Sequence, residues 1–234
     1  MDMRRQVKRP YQSALRGAQA QSTREVIIAA ATRLFVEQGY AATSIEEIAA
    51  AAGVSRATVF TSVGGKPTLL KIALDVAIVG DDEPVALPER PRSVAIRAEP
   101  DPRKYLALYA GVVTEIGGRL AGIYEAVRGA AGADPYTRGL WESHLTQRRQ
   151  GAANVVGDVL RKGQLRLGVD REAAADIVWL LNDPGLYQML VRRRGWTPGR
   201  YHAWLAETMI RQLLPDEDRE GLVRTPSKGR RERS

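Results

Sequence analysis

The chain has 234 residues, a net charge of +8 from 35 Lys and Arg against 27 Asp and Glu, 44% hydrophobic residues, two His and no Cys. That is enough for one or two domains with a real core, and the lack of Cys excludes disulfide frameworks, thiol nucleophiles, Cys-ligated zinc and iron–sulfur clusters. No apolar run near the ~18 residues of a membrane span stands out, and no signal-like stretch follows the N-terminal arginines, so a cytoplasmic protein with no membrane partner is expected.

Dense helix punctuation and the near-absence of alternating Val/Ile/Thr runs predict an all-α fold. Residues 1–22 carry Arg4, Arg5, Lys8, Arg9 and Arg16 against one acid and read as a flexible basic arm. Ser22-Thr23-Arg24-Glu25 has capping-box spacing, and Ile27, Ala30, Ala31, Leu34 and Phe35 then mark one face of a helix over 23–38, ended by Gly39. Thr43-Ser44-Ile45-Glu46 opens a short helix over 44–52, closed by Gly53. Ser55 caps a third over 56–63 with Val59 and Val63 inward, and after Gly64-Gly65, Pro67 fits the first turn of a fourth. Residues 81–101, acidic and then proline-rich, read as a connector between a 23–80 domain and a 102–214 domain, with room for a short helix near 93–98. In the larger domain Asp101-Pro102, Asp134-Pro135, Asp170 and Thr197-Pro198 predict helix starts, and Pro184-Gly185 a bend. Residues 215–234 are charged and read as a disordered tail.

Two short helices joined at a glycine, the second exposing small polar residues and one Arg, form a helix-turn-helix pattern suited to the major groove of double-stranded DNA. Ser55, Arg56, Ala57, Thr58, Phe60, Thr61 and Ser62 are its groove-facing candidates. The wider stretch supplies Phe35, Gly39-Tyr40, Thr43-Ser44-Ile45, Ile48-Ala49, Ala52-Gly53-Val54-Ser55, Thr58-Val59-Phe60, Lys66 and Leu69-Leu70. That series resembles the N-terminal domain of TetR-family transcriptional regulators. The resemblance implies that Thr43 and Ser44 present a helix N-terminus to a phosphate and that Lys66 grips another. A basic arm beside such a motif either enters the adjacent minor groove or is a solvated tail. The resemblance also implies a homodimer on a palindromic operator, paired through the last two long helices, with Ile177, Tyr201, Trp204, Leu205 and Met209 as interface candidates.

On the 135–162 helix, His144 and Arg148 interrupt an apolar stripe one turn apart. Polar groups there are either satisfied within the core or meet the polar end of a small-molecule effector. Tyr105, Tyr109, Trp141, Trp179, Asn182 and Tyr187 join them as ligand candidates. The expected function is a ligand-responsive DNA-binding regulator, most simply a repressor, with an architectural DNA binder as the alternative. A helical enzyme is disfavoured: the two His lie far apart without metal-ligand spacing, no catalytic motif is present, and neither a metal site nor a cofactor is expected.

Overall fold

The computed structural model describes residues 8–133 and 135–216, and among them every regular element is helical. The first four helices are α1 (Lys8–Ala42), α2 (Ile45–Ala52), α3 (Arg56–Val63) and α4 (Lys66–Val79). A 3₁₀ turn (Leu87–Glu89) and α5 (Pro91–Ala98) lead into α6 (Pro102–Ala130) and α7 (Pro135–Lys162). Then come α8 (Arg171–Leu181), α9 (Pro184–Tyr187) continuing into a π-helical stretch (Gln188–Arg193), and α10 (Pro198–Leu213).

The starts and stops follow their local chemistry. Asp101, Asp170, Asp183 and Thr197 each accept a backbone N–H at a helix start. The expected cap Asp134 lies outside the described residues, as do Arg4, Arg5 and 217–234 of the expected tail. Gly53 closes α2 at φ +67°, a left-handed conformation that lets the chain turn at once into α3.

Three expectations are corrected. First, α1 begins at Lys8, so the 1–22 segment is not a flexible arm from Lys8 onward, and Lys8, Arg9 and Arg16 stand on a helix. The capping box at Ser22–Glu25 is unused, and Thr23 Oγ1 instead donates to the Gln19 carbonyl at 2.9 Å. The physical reason lies upstream: Ala, Gln and Leu are good helix formers, and Pro10 falls in the first turn, where its missing N–H costs nothing. Second, the cap of α2 is Ser44, one residue later than expected. Its hydroxyl accepts the Glu47 N–H at 3.2 Å while the Glu47 carboxylate accepts the Ser44 N–H at 2.7 Å. Third, α6 is long and apolar enough to cross a membrane by length and composition, contrary to the expectation that no such run exists. Its place explains the composition, since it threads both core clusters.

One cluster joins α1–α4 to the second half of α6 through Ile27, Phe35, Ile48, Val59, Leu69 and Leu70 against Leu120, Ile123 and Val127. The other joins the first half of α6 to α5, α7, α8, α9 and α10. At about 1.5 Å per residue α6 spans roughly 40 Å, a rod shared by head and body. Arg119 reinforces the joint by donating to the carbonyls of Ala77 and Ile78, the last turn of α4.

Candidate nucleic-acid interface and buried cavity

The α2–turn–α3 pair presents one open face. Val59 and Val63 are buried beneath α3, as the sequence predicted, while Arg56, Ala57, Phe60 and Thr61 are exposed and Ser62 is half-buried. Ser55 and Thr58 serve the helix itself: the Ser55 hydroxyl accepts the Thr58 N–H at 3.0 Å and bonds the Thr58 hydroxyl at 2.8 Å. The Thr61 hydroxyl donates back to the Ala57 carbonyl at 3.0 Å, so its methyl group and Ala57 give the face a partly apolar character.

Arg56 is less free than α3 alone implies. Its guanidinium pairs with Glu46 of α2 at 2.7 Å, both side chains being more than half exposed, and lies 5.7 Å from the Phe60 ring centroid. A pair this exposed is worth about 0–1 kcal/mol, so an approaching phosphate or base edge displaces Glu46 at little cost.

Three residues expected at phosphates are otherwise engaged. Lys66 Nζ donates to the carbonyls of Tyr40 at 2.8 Å and Thr43 at 2.7 Å, and sits 4.3 Å from the Tyr40 ring. The ammonium thereby ties the end of α1 and the start of α2 to α4. Thr43 is buried and its hydroxyl donates to the Gly39 carbonyl at 2.8 Å. The hydroxyl of Ser44 is taken by the capping box, whose hydrogen bonds hold the Glu47 carboxyl below its usual range. A carboxylate therefore already occupies the position at the α2 N-terminus where the resemblance implied a phosphate.

Arg24 went unremarked in the sequence. From α1 it donates to the Ser62 carbonyl at 2.9 Å and pairs with Asp82 at 2.5 Å, linking the end of α3 to the segment after α4. The only sequence signal was an Arg following an unused cap.

Inside the body lies a cavity of about 590 Å³, walled by Ile78 and Val79 of α4, Tyr109 to Leu120 of α6, His144 to Asn154 of α7, Asn182–Pro184, Tyr187 and Tyr201, with Ala86, Leu87 and Pro88 at its edge. Five of the eight predicted ligand residues line it: Tyr109, His144, Arg148, Asn182 and Tyr187. Tyr105 lines an adjoining cavity of about 410 Å³ that shares Tyr109, Val112, Leu87 and Pro88. Burial, reinforced by the hydrogen bond its hydroxyl donates to Asp158 at 2.8 Å, pushes its pKa far up. Trp141 and Trp179 do not line either cavity. Trp141 packs on Tyr124 with ring centroids 5.2 Å apart, and Trp179 lies under the Arg148 guanidinium at 5.6 Å.

The polar end of the cavity is a network. Arg148 Nη1 pairs with Asp183 at 2.9 Å, while Nη2 donates to the Trp179 carbonyl at 2.9 Å and to Asn182 Oδ1 at 3.2 Å. Asn182 Nδ2 donates to the Tyr109 hydroxyl at 3.1 Å, and the Tyr124 hydroxyl donates to Asp183 at 3.1 Å. Asp183, which also caps α9, was missed, although an Asp before Pro184 carried the signal of a helix cap. His144 is buried, and burial followed by the nearby Arg148 charge depresses its pKa to about 4, so the ring is neutral.

The expected interface set is divided. Tyr201, Leu205 and Met209 are fully buried within the chain, and Tyr201 lines the cavity, so these three are core rather than surface. The stripe on α10 packs against α6 and α8, which periodicity alone does not distinguish from a partner. Ile177 and Trp204 remain half-buried at the surface, and Leu180, one turn from Ile177 on α8, is 61% exposed.

An all-helical head presenting a capped, acid-free helix, joined to an all-helical body with a largely apolar cavity, is the architecture of a helix-turn-helix DNA-binding protein. Residues 27–71 match the family described as bacterial regulatory proteins, tetR family. Over this segment the chain is similar to the DNA-binding domain of that family. The whole fold is similar to FadR of Bacillus subtilis, solved with stearoyl-CoA (17% identity, 80% of this chain and 97% of that one, TM-score 0.63). It is similar to NalD of Pseudomonas aeruginosa, the secondary repressor of the MexAB-OprM multidrug efflux pump (22% identity, 84% and 97%, TM-score 0.62). A TetR transcriptional regulator from Chloroflexus aurantiacus is comparably similar (21% identity, 84% and 98%, TM-score 0.62). No curated protein matches the chain in sequence. The family and these structural neighbours are regulators of transcription, not enzymes.

Proposed function

We propose that the chain is a repressor that binds a palindromic operator as a homodimer and is released by a small molecule held in the body cavity. The observation carrying this reading is the double role of α4. Ile78 and Val79 wall the cavity, and the same helix packs its Leu69, Leu70 and Leu74 face in the core beneath the DNA-reading pair. A molecule that fits only one placement of α4 favours one spacing of the two heads, and only such differential affinity shifts the equilibrium. Arg56, Ala57, Phe60, Thr61 and Ser62 are the groove-facing residues in this reading, with Ser55 and Thr58 shaping the helix. FadR's stearoyl-CoA complex and NalD's role as a repressor lend support by analogy of fold. A largely apolar cavity with a polar end favours sensing over a purely architectural DNA binder.

The test is selection of genomic DNA by the purified protein at graded salt, with Arg56→Ala as control. A palindromic site whose half-sites lie about 34–36 Å apart, or a multiple of it, and whose binding the substitution weakens supports the reading. Salt-labile binding without sequence preference, insensitive to Arg56→Ala, rejects it.

A further inference from the structure

Three buried side-chain atoms have no hydrogen-bond partner among the described residues: His144 Nε2, Arg148 Nε and Trp179 Nε1. His144 and Arg148 belong to the cavity wall, and His144 is only 4% exposed. An unmet buried donor or acceptor ordinarily costs a fold stability, so two from adjacent turns at one end of a cavity mark a place where a ligand atom completes the set.

The charges at that end are already matched. Arg148 is paired with Asp183, whose second oxygen accepts the Gly185 N–H at 2.7 Å, and Asp75 at the far wall is bonded to Lys71 at 2.5 Å. A charged head of either sign entering among Val113, Ile116 and Leu120 would shed its water without gaining a countercharge. What the wall offers is hydrogen bonding. Arg148 Nε–H is a donor only, His144 Nε2 takes either role with its tautomer, and the Tyr109 hydroxyl, while accepting from Asn182, retains its own proton to donate.

We infer that the cavity takes an uncharged, mostly apolar molecule whose hydrogen-bond acceptor, a carbonyl or hydroxyl oxygen, docks at His144 and Arg148. This rests on the reading of the cavity as an effector site and gives the chemical class of that effector.

Calorimetric titration of the full-length protein with four ten-carbon probes below their micellar concentrations tests it: decan-2-one, 1-decanol, decanoate and decyltrimethylammonium. The two neutral probes should bind at least about tenfold more tightly than either ion, and His144→Phe should weaken decan-2-one about fivefold, the worth of one hydrogen bond. An ion that binds within twofold of the neutral probes overturns the inference, as does failure of both neutral probes to bind. So does a folded His144→Phe protein with undiminished affinity for decan-2-one, and if that variant does not fold, the wild-type series decides alone. Release from operator DNA by the bound probe is read separately. Its failure would count against the regulatory reading while leaving the assigned ligand chemistry intact.

Discussion

Lys66 and Arg56 are both cations beside the helix-turn-helix, yet their surroundings give them different roles. Lys66 holds two backbone carbonyls at the α1–α2 junction, and hydrogen bonds from a charged donor are worth about 1.5–3 kcal/mol each. Lys66→Ala should therefore lower the melting temperature by roughly 5–10 °C, with any loss of DNA affinity following the loss of fold. Arg56→Ala removes only an exposed pair and should leave the melt unchanged within about 0.5 kcal/mol. It should nevertheless weaken specific DNA binding by about 1–3 kcal/mol, measured by fluorescence anisotropy on the selected site. Reversed effects would exchange the two assignments.

His144 gives a second prediction at this scale. Its folded pKa, about 4, lies below the ordinary 6.5, so the unfolded chain binds the proton more readily than the native one. The contribution of the neutral buried ring is complete above pH 6.5 and is lost as pH falls from there toward 4. At 1.36 kcal/mol per unit that is on the order of 3 kcal/mol. Urea melts at intervals across this window should show a stability slope that His144→Phe reduces. An unchanged slope in the variant assigns the acid sensitivity to other groups.

Among the elements, close approach decides more than propensity at Gly117. A Cβ there would lie 2.9 Å from two ring atoms of Tyr187 and 3.0 Å from its Cβ, so α6 and α9 meet only because the side chain is absent. Gly→Ala inside a helix normally stabilises by up to about 1 kcal/mol, whereas overpacking of this kind costs about 1–3 kcal/mol. The clash should win, since Tyr187 is buried and cannot swing away. Gly117→Ala should therefore melt a few degrees lower, whereas Gly129→Ala, where a Cβ meets nothing within 4 Å, should not. Helix existence was legible in the sequence because caps, prolines and 3.6-residue periodicity are local signals, and Ser55, Asp101, Asp170 and Thr197 all cap as their spacing implied. The intramolecular partners of Lys66 and Thr43 were not legible, because a lysine's partner carbonyls and a threonine's direction depend on how α1, α2 and α4 converge. His144 and Arg148 were found since a polar break in an apolar stripe is visible in one dimension. Asp183 and Tyr124, their partners, come from other helices, and no spacing announces them.

At the scale of the molecule, the remaining question is what covers the outer side of α8. Tyr201, Leu205 and Met209 are core, which leaves Ile177 and Leu180, three residues apart on one face, and Trp204 on the neighbouring α10 as the apolar surface available to a second copy. In a two-fold dimer each substitution acts twice. Burying a leucine side chain is worth about 1.5–3 kcal/mol, so replacing Leu180 with a charge should cost the assembly about 3–6 kcal/mol, or a factor of roughly 10²–10⁴ in the dimer dissociation constant. If the chain pairs as proposed, Leu180→Glu should sediment as a monomer at micromolar concentrations where the unsubstituted chain sediments as a dimer. Since the side chain is already 61% exposed, the fold of each copy should survive, with a helical circular dichroism signal unchanged. The monomer keeps one intact reading head, so it should retain weak half-site binding and lose the tight binding that needs two heads in successive major grooves. A Leu180→Glu protein that still dimerises would move the seam elsewhere on the body. One that dimerises no longer yet binds the full palindrome as tightly would show that pairing takes place on the DNA, through the heads themselves.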